Sequence, residues 1–303
     1  MIIAKLQGGL GNQMFQYAFG RALAKRRGVE LKLDVAMFPT YKYHKLMIGH
    51  LNISAPIASD WEVARFAIHR RRPHWPWKIL NPLLRNPKKY VVEPSYYFSP
   101  DPLDLEAPCL VDGYWLCEKY FLKIEDIIRD EFTVRSPLND YSKRMEDKIR
   151  SAEHPVMLHV RRADYATDFV HVHGTLSPAY YERAFSLVRE RVPNASYFIF
   201  SDDPEWARAH VRPDAPAEYI GQGANLNYLD LYLMTLCEHF ILANSTYGWW
   251  GAWLSKSYRN NLTIMPKYMT AKMDTRDLAH SNWSVLDDAG FSARQNLVAK
   301  RNI

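Results

Sequence analysis

After Pro155 the sequence alternates short apolar runs with helix-like segments, and few folds accept that alternation. Strands are predicted near 156–159, 196–201, 217–220, 239–244 and 262–265, and helices near 178–192, 204–211, 226–237 and 246–257. Apolar runs of this length read as buried strands. A helix between each pair returns the chain to the same edge, so the strands must run parallel with helices covering both faces. Ser177 before Pro178, Asp203 before Pro204 and Ser245 before Thr246 supply helix starts.

The amino-terminal part opens on a similar unit. A strand at 2–6, the turn Gly8-Gly9-Leu10-Gly11-Asn12-Gln13, a helix near 14–27 stopped by Gly28, and a strand at 30–35 form a β-loop-α-β start. A dinucleotide site is one reading, with Asp34 ending the second strand, but Met14 stands where the fingerprint has its third glycine. The other reading uses Gly9 for close approach and the Asn12 and Gln13 amides for hydrogen bonds. A chain of 303 residues exceeds one usual core. The polar, helical stretch 136–154 marks the boundary, so domains at 1–150 and 151–303 are expected.

The net charge of +6 has a location. Arg65, Arg70, Arg71, Arg72, Lys78, Arg85, Lys88 and Lys89 occur in one stretch, 65–89, with no acidic residue among them, and two tryptophans lie between the cations. This basic insertion is either a solvated loop or a surface for anionic membrane lipid. Nucleic acid is not expected as a partner, because no recognised nucleic-acid fold accompanies the arm. Cys109, Cys117 and Cys237 have neither metal spacing nor an even count and read as reduced thiols. No charged leader precedes an apolar segment and no apolar run reaches about 18 residues, so a cytoplasmic location is expected.

In parallel sheets ligands bind beyond the carboxyl ends of strands. Three such ends are polar: His159-Val160-Arg161-Arg162-Ala163-Asp164, Ser201-Asp202-Asp203, and Asn244-Ser245-Thr246. Guanidinium forks match phosphate oxygens, and the helix opening at Thr246 offers free N–H groups to an anion. The alternative for Arg161 and Arg162 is an ion pair with Asp164 or another carboxylate. Tryptophans beside Gly248 and Gly251 suggest close helix-to-sheet packing. Tyr114 and Trp115 end another strand and suit either sugar stacking or core packing. His171 and His173 alternate like metal ligands without a third, which leaves His173 as a polar cleft residue.

Four segments carry a family resemblance: Gly8-Gly9-Leu10-Gly11-Asn12-Gln13-Met14-Phe15-Gln16-Tyr17-Ala18, Gly113-Tyr114-Trp115 with Glu118-Lys119-Tyr120-Phe121, His159-Val160-Arg161-Arg162, and Asn244-Ser245-Thr246-Tyr247-Gly248-Trp249-Trp250. In this order, spread over nearly the whole chain, they resemble bacterial α-1,2-fucosyltransferases of glycosyltransferase family 11. The resemblance implies an α/β, GT-B architecture of two Rossmann-like domains facing a cleft. It implies GDP-fucose as donor, held in the carboxyl-terminal domain by Arg161 with His159 beside it, and a β-galactoside glycan acceptor at the amino-terminal domain. Inverting transfer to the galactose 2-hydroxyl, in surface glycan synthesis at or near the inner membrane of a bacterium, follows from the same likeness. Asp202 and Asp203 occupy the next strand end and could meet ribose or guanine. Ala163 replaces the usual glycine, and Leu116-Cys117 a usual polar pair, the second bearing on acceptor choice. Asp164 is the nearest carboxylate to the phosphate site, hence a candidate base or a partner orienting Arg161. No Asp-x-Asp triplet occurs, so no metal and no cofactor is expected, with arginine and the helix terminus neutralising the departing diphosphate.

Overall fold

The computed structural model describes residues 1–66 and 89–293, and the centre of the basic insertion, from Arg70 to Lys88, lies outside them. The chain forms two units, Met1–Arg135 and Ser136–Ile303. The division falls earlier than the boundary expected after 150. Its cause is the helix Asp140–Ser151, whose Glu146 accepts from Tyr232 Oη at 2.8 Å and whose Ser142 Oγ accepts from Gln222 Nε2 at 2.9 Å. Both partners belong to the second unit. Among the described residues no helix is long and apolar enough to cross a membrane.

The first unit holds a four-stranded sheet, β1 (Ile2–Lys5), β2 (Leu31–Asp34), β3 (Tyr90–Val92) and β4 (Cys109–Asp112), in the order β2-β1-β4-β3. Every pairing is parallel. The first helix, Leu10–Arg27, begins at Leu10 rather than Met14, and Gly28 closes it in the left-handed region at φ 64°. Lys25, Arg26 and Arg27 in its last turn complement the helix dipole. It is Gly8, at φ +78°, that the turn needs as glycine; Gly9 is extended at φ −72° and starts the helix.

The second unit holds β5 (His154–Val160), β6 (Ala195–Ser201), β7 (Ala217–Ile220), β8 (His239–Ile241), β9 (Thr263–Pro266) and β10 (Ser284–Leu286). Their order is β10-β9-β8-β5-β6-β7, all parallel. Counted within the unit this is 3-2-1-4-5-6, the doubly wound order of dinucleotide-binding sheets. Two parallel α/β units match the expected pair of Rossmann-like domains. Successive strand residues point to opposite faces. Val156, Leu158 and Val160 therefore share a core with Tyr180, Ala184 and Phe185 of the helix Pro178–Arg191, while His159 points the other way, against Gly248 of the helix Thr246–Leu254. Trp249, Trp250 and Trp253 of that helix are buried, as its small residues suggest. One expected cap differs. Ser177 bonds Asp288 through both its N–H, at 2.8 Å, and its hydroxyl, at 2.6 Å, instead of capping the helix that follows.

Candidate active site

Adjacent strands whose connections leave on opposite faces open a crevice at their carboxyl ends, and in the second unit that point lies between β5 and β8. The chain places His159 to Asp164 on one side of it and Asn244 to Thr246 on the other. The parallel register pairs Val160 with Ser201, which sets Arg161 beside Asp202.

Arg161 is held from three directions. Its Nη1 donates to Asp202 Oδ2 and its Nη2 to Asp164 Oδ1, and its guanidinium lies 4.6 Å from the Tyr165 ring centroid. Burial lowers its pKa, but Asp202, Tyr165 and Asp164 outweigh that and raise it. The Tyr165 ring in turn stacks on His173 at 4.3 Å with 8° between the planes. His173 thus supports the layer beneath the guanidinium. Arg162 donates its backbone N–H to Asp202 Oδ1 at 2.8 Å, and its guanidinium sits 3.9 Å over the Trp206 ring, with Asp203 Oδ2 3.4 Å from Nε. Asp203 also caps the helix Pro204–His210, accepting from Trp206 N at 3.1 Å. Asp164 and Asp202 thus form the ion pairs that were the alternative reading of the arginines, in a form that also fixes the guanidinium's orientation.

His159 is 4% exposed and its Nδ1 meets no hydrogen-bond partner. Burial, reinforced by the charge of Arg161, pushes its pKa down to about 3, so the ring is neutral at ordinary pH. The ring stands edge-on to Tyr247, 5.7 Å between centroids. Because the unfolded chain takes up this proton near pH 6.5 and the folded chain does not, the stabilising contribution is complete above about 6.5 and is lost as pH falls. Between pH 7 and pH 5 the native protein is expected to lose about 2 kcal/mol more than a His159→Asn variant. Urea unfolding at the two pH values measures this, and equal losses would remove His159 as the source.

Ser245 caps the Thr246–Leu254 helix through its hydroxyl, 3.3 Å from Tyr247 N. The helix-opening N–H groups stand at the same end of the crevice as Arg161. Asn244, expected at the donor, is 1% exposed, and its Nδ2 holds the carbonyls of His173 at 3.1 Å and Gly174 at 3.2 Å. Its Nδ2 thereby fastens the loop that carries His173, while its buried Oδ1 meets no hydrogen-bond partner among the described residues.

The order β2-β1-β4-β3 makes β1 and β4 neighbours in the first unit. The Gly8-Gly9 turn and Gly113-Tyr114-Trp115 follow these two strands. Gln13, expected to reach a ligand, is fully buried. Its Nε2 donates to Gly8 O and Lys45 O, both at 2.9 Å, while Oε1 accepts from Met47 N at 2.9 Å and Ile48 N at 3.0 Å. With its four bonds made, it pins the 45–48 segment to the glycine turn. Asn12 stands beside the same turn, its Nδ2 next to Gly8. Trp115 is 1% exposed and stacks on Phe19 at 4.0 Å, so it belongs to the core, whereas Tyr114 remains half-buried. Asp34, the ribose ligand of the dinucleotide reading, is 2% exposed and accepts Ala36 N at 3.1 Å.

Among the described residues His154, Glu238 and His239 lie close enough to share a cation. They stand at the opening ends of β5 and β8, the opposite edge of the sheet from Arg161, and Leu262 N already donates to His239 Nδ1 at 3.1 Å. The sequence left Tyr165 and Trp206 without a role, and each is recognisable from its contact with Arg161 or Arg162. Gly248, read as a close-packing residue, packs on His159.

Residues 1–287 match the glycosyl transferase family 11 profile. An alpha-1,2-colitosyltransferase of Escherichia coli is 32% identical over 279 residues, covering 88% of this chain and 91% of that protein. The O-antigen biosynthesis glycosyltransferase WbnK, also of E. coli, is 27% identical and covers 92% of this chain and 98% of its own length. A galactoside alpha-(1,2)-fucosyltransferase 1 of Bos taurus is 28% identical over 85% of this chain and 68% of its own.

Proposed function

The chain belongs to glycosyl transferase family 11, and we propose that it transfers L-fucose from GDP-β-L-fucose to the 2-hydroxyl of a terminal β-galactoside, inverting the anomeric centre to an α linkage. The observation that supports this best is the β5–β8 crevice, where the Arg161 guanidinium and the opening N–H groups of the Thr246–Leu254 helix stand at adjoining strand ends. Together they suit a nucleoside diphosphate.

In a single displacement the acceptor oxygen bonds to the anomeric carbon as the bond from that carbon to the phosphate oxygen breaks. The electron pair leaves with GDP. Arg161 carries two of the three parts that this departure needs, a charge and a fixed fork of donors, and the helix dipole supplies the third without a metal. Asp164 acts here as the positioning partner of Arg161, consistent with the bond to Nη2. The hydroxyl proton passes to a phosphate oxygen of the leaving GDP or, if that bond opens, to Asp164. Asp164→Asn separates these routes. Loss of turnover with donor KM unchanged would assign the base role, whereas a raised donor KM with residual turnover assigns positioning.

A second donor has a specific observation in its favour, since a relative at 32% identity is named a colitosyltransferase. The experiment is transfer from GDP-fucose and from GDP-colitose to β-galactoside acceptors, with and without EDTA, and the linkage determined on the product. An α-1,2 product formed in EDTA supports the proposal. A different linkage corrects the acceptor hydroxyl, and stabilisation by NAD but not by GDP would overturn the reading.

A further inference from the structure

We infer that Tyr96 and Tyr114 form the platform on which the terminal sugar ring of the acceptor rests, and that Glu93 is the residue positioning it. The inference rests on the glycosyl-transfer reading above and names the acceptor side of that site.

Glu93 follows β3, and its carboxylate reaches the turn that follows β4. Oε2 accepts from Tyr114 N at 2.6 Å and Oε1 from Trp115 N at 2.9 Å, so one side chain fixes two consecutive peptide groups. The turn needs such a clamp. Trp115 lies in the left-handed region at φ 56°, where a bulky residue is strained. Gly113 passes so close that a Cβ there would stand 2.3 Å from Glu93 Cβ. With Trp115 anchored on Phe19 and its peptide on Glu93, the intervening Tyr114 has one direction to take. Burial pushes the Glu93 carboxyl up to about 7 despite the two N–H bonds, which marks how far it has been withdrawn from water to make them.

Tyr96, three residues beyond Glu93, is 54% exposed, and its ring lies 6.3 Å from that of Tyr114 at an interplanar angle of 37°. Two tilted rings, one open to solvent, make a shallow aromatic surface just beyond the carboxyl ends of β3 and β4. Electron-rich ring faces attract the polarised C–H groups of a pyranose, while the phenol hydroxyls can meet its hydroxyl groups. Galactose presents such a C–H face.

The experiment measures steady-state kinetics of the full chain with GDP-fucose and a β-galactoside disaccharide. Tyr96→Ala is expected to raise the acceptor KM by about tenfold, with donor KM and Tm unchanged, and Tyr96→Phe to restore most of the loss. Glu93→Gln, which has one acceptor for two N–H donors, is expected to raise acceptor KM without changing the GDP-induced rise in Tm. An acceptor KM within about twofold of wild type in Tyr96→Ala, or an equal rise in donor KM, overturns the inference. If the wild-type protein transfers no sugar, the functional reading fails separately. Saturation-transfer NMR on the disaccharide alone then decides the platform: contact to the galactose ring protons that Tyr96→Ala abolishes supports it, and contact that survives, or none in wild type, overturns it.

Discussion

Arg161→Ala is expected to reduce kcat/KM by about 100-fold or more, a loss of about 2.7 kcal/mol of transition-state stabilisation. The guanidinium is the counter-ion of Asp164 and Asp202, and in the proposed mechanism it is also the charge facing a departing diphosphate. Its removal deletes the first role and leaves two carboxylates near the phosphates, so repulsion adds to the lost attraction. Because breaking a buried ion pair also costs stability, Arg161→Lys serves as the companion variant. It keeps the charge but not the planar fork, and an intermediate loss is expected. Turnover with the donor, together with the GDP-induced shift in Tm, measures both. Near-normal turnover in Arg161→Ala would remove the residue from the mechanism.

Gly248→Ala is expected to lower stability and activity together, although alanine favours helix by about 1 kcal/mol over glycine. An added Cβ would lie 2.5 Å from His159 Nδ1 and 3.0 Å from its Cγ. His159 cannot yield easily, since it is 4% exposed on a strand paired on both sides. Overpacking of this kind costs about 1–3 kcal/mol, so the clash outweighs the propensity gain and Tm is expected to fall by about 4 °C. Activity falls by about tenfold or more, because displacing His159 moves the strand end that carries Arg161. A His159→Ala/Gly248→Ala pair tests the cause: coupling that recovers stability relative to the sum of the single changes locates the effect in this contact. Strict additivity would refute it.

Much of the second unit was legible because its signals are local. The apolar runs at Val156 and Phe198 and the helix starts at Pro204 and Thr246 each depend on a few consecutive residues. The pair Arg161–Asp164 is local too, three positions apart after a strand. Asp202 as the other partner of Arg161 was not legible, since it depends on the register that sets Val160 opposite Ser201. β3 and β10, three residues each, are too short to carry a period. Gln13 and Trp115 have the chemistry of ligand contacts, and only burial, with the four bonds of Gln13 and the stacking of Trp115 on Phe19, identifies them as structural. Glu93 and Tyr96 lie where proline interrupts any pattern, and nothing local singles them out.

The sequence by itself determined most of the strands, that they must run parallel, and that Arg161 and the Thr246 helix terminus lie at the carboxyl ends of strands. Hydrophobic period, capping residues and clustered charge act over a few residues, so they are readable without the fold. Only the tertiary structure decided the strand orders, and with them the β5–β8 reversal point and the β1–β4 neighbourhood that gather the motifs. It also decided which polar groups face the crevice and which hold the backbone behind it. That division depends on desolvation and on partners distant in sequence: Glu93 reaches the turn at Tyr114, and His159 packs against Gly248, because the sheets bring those segments together.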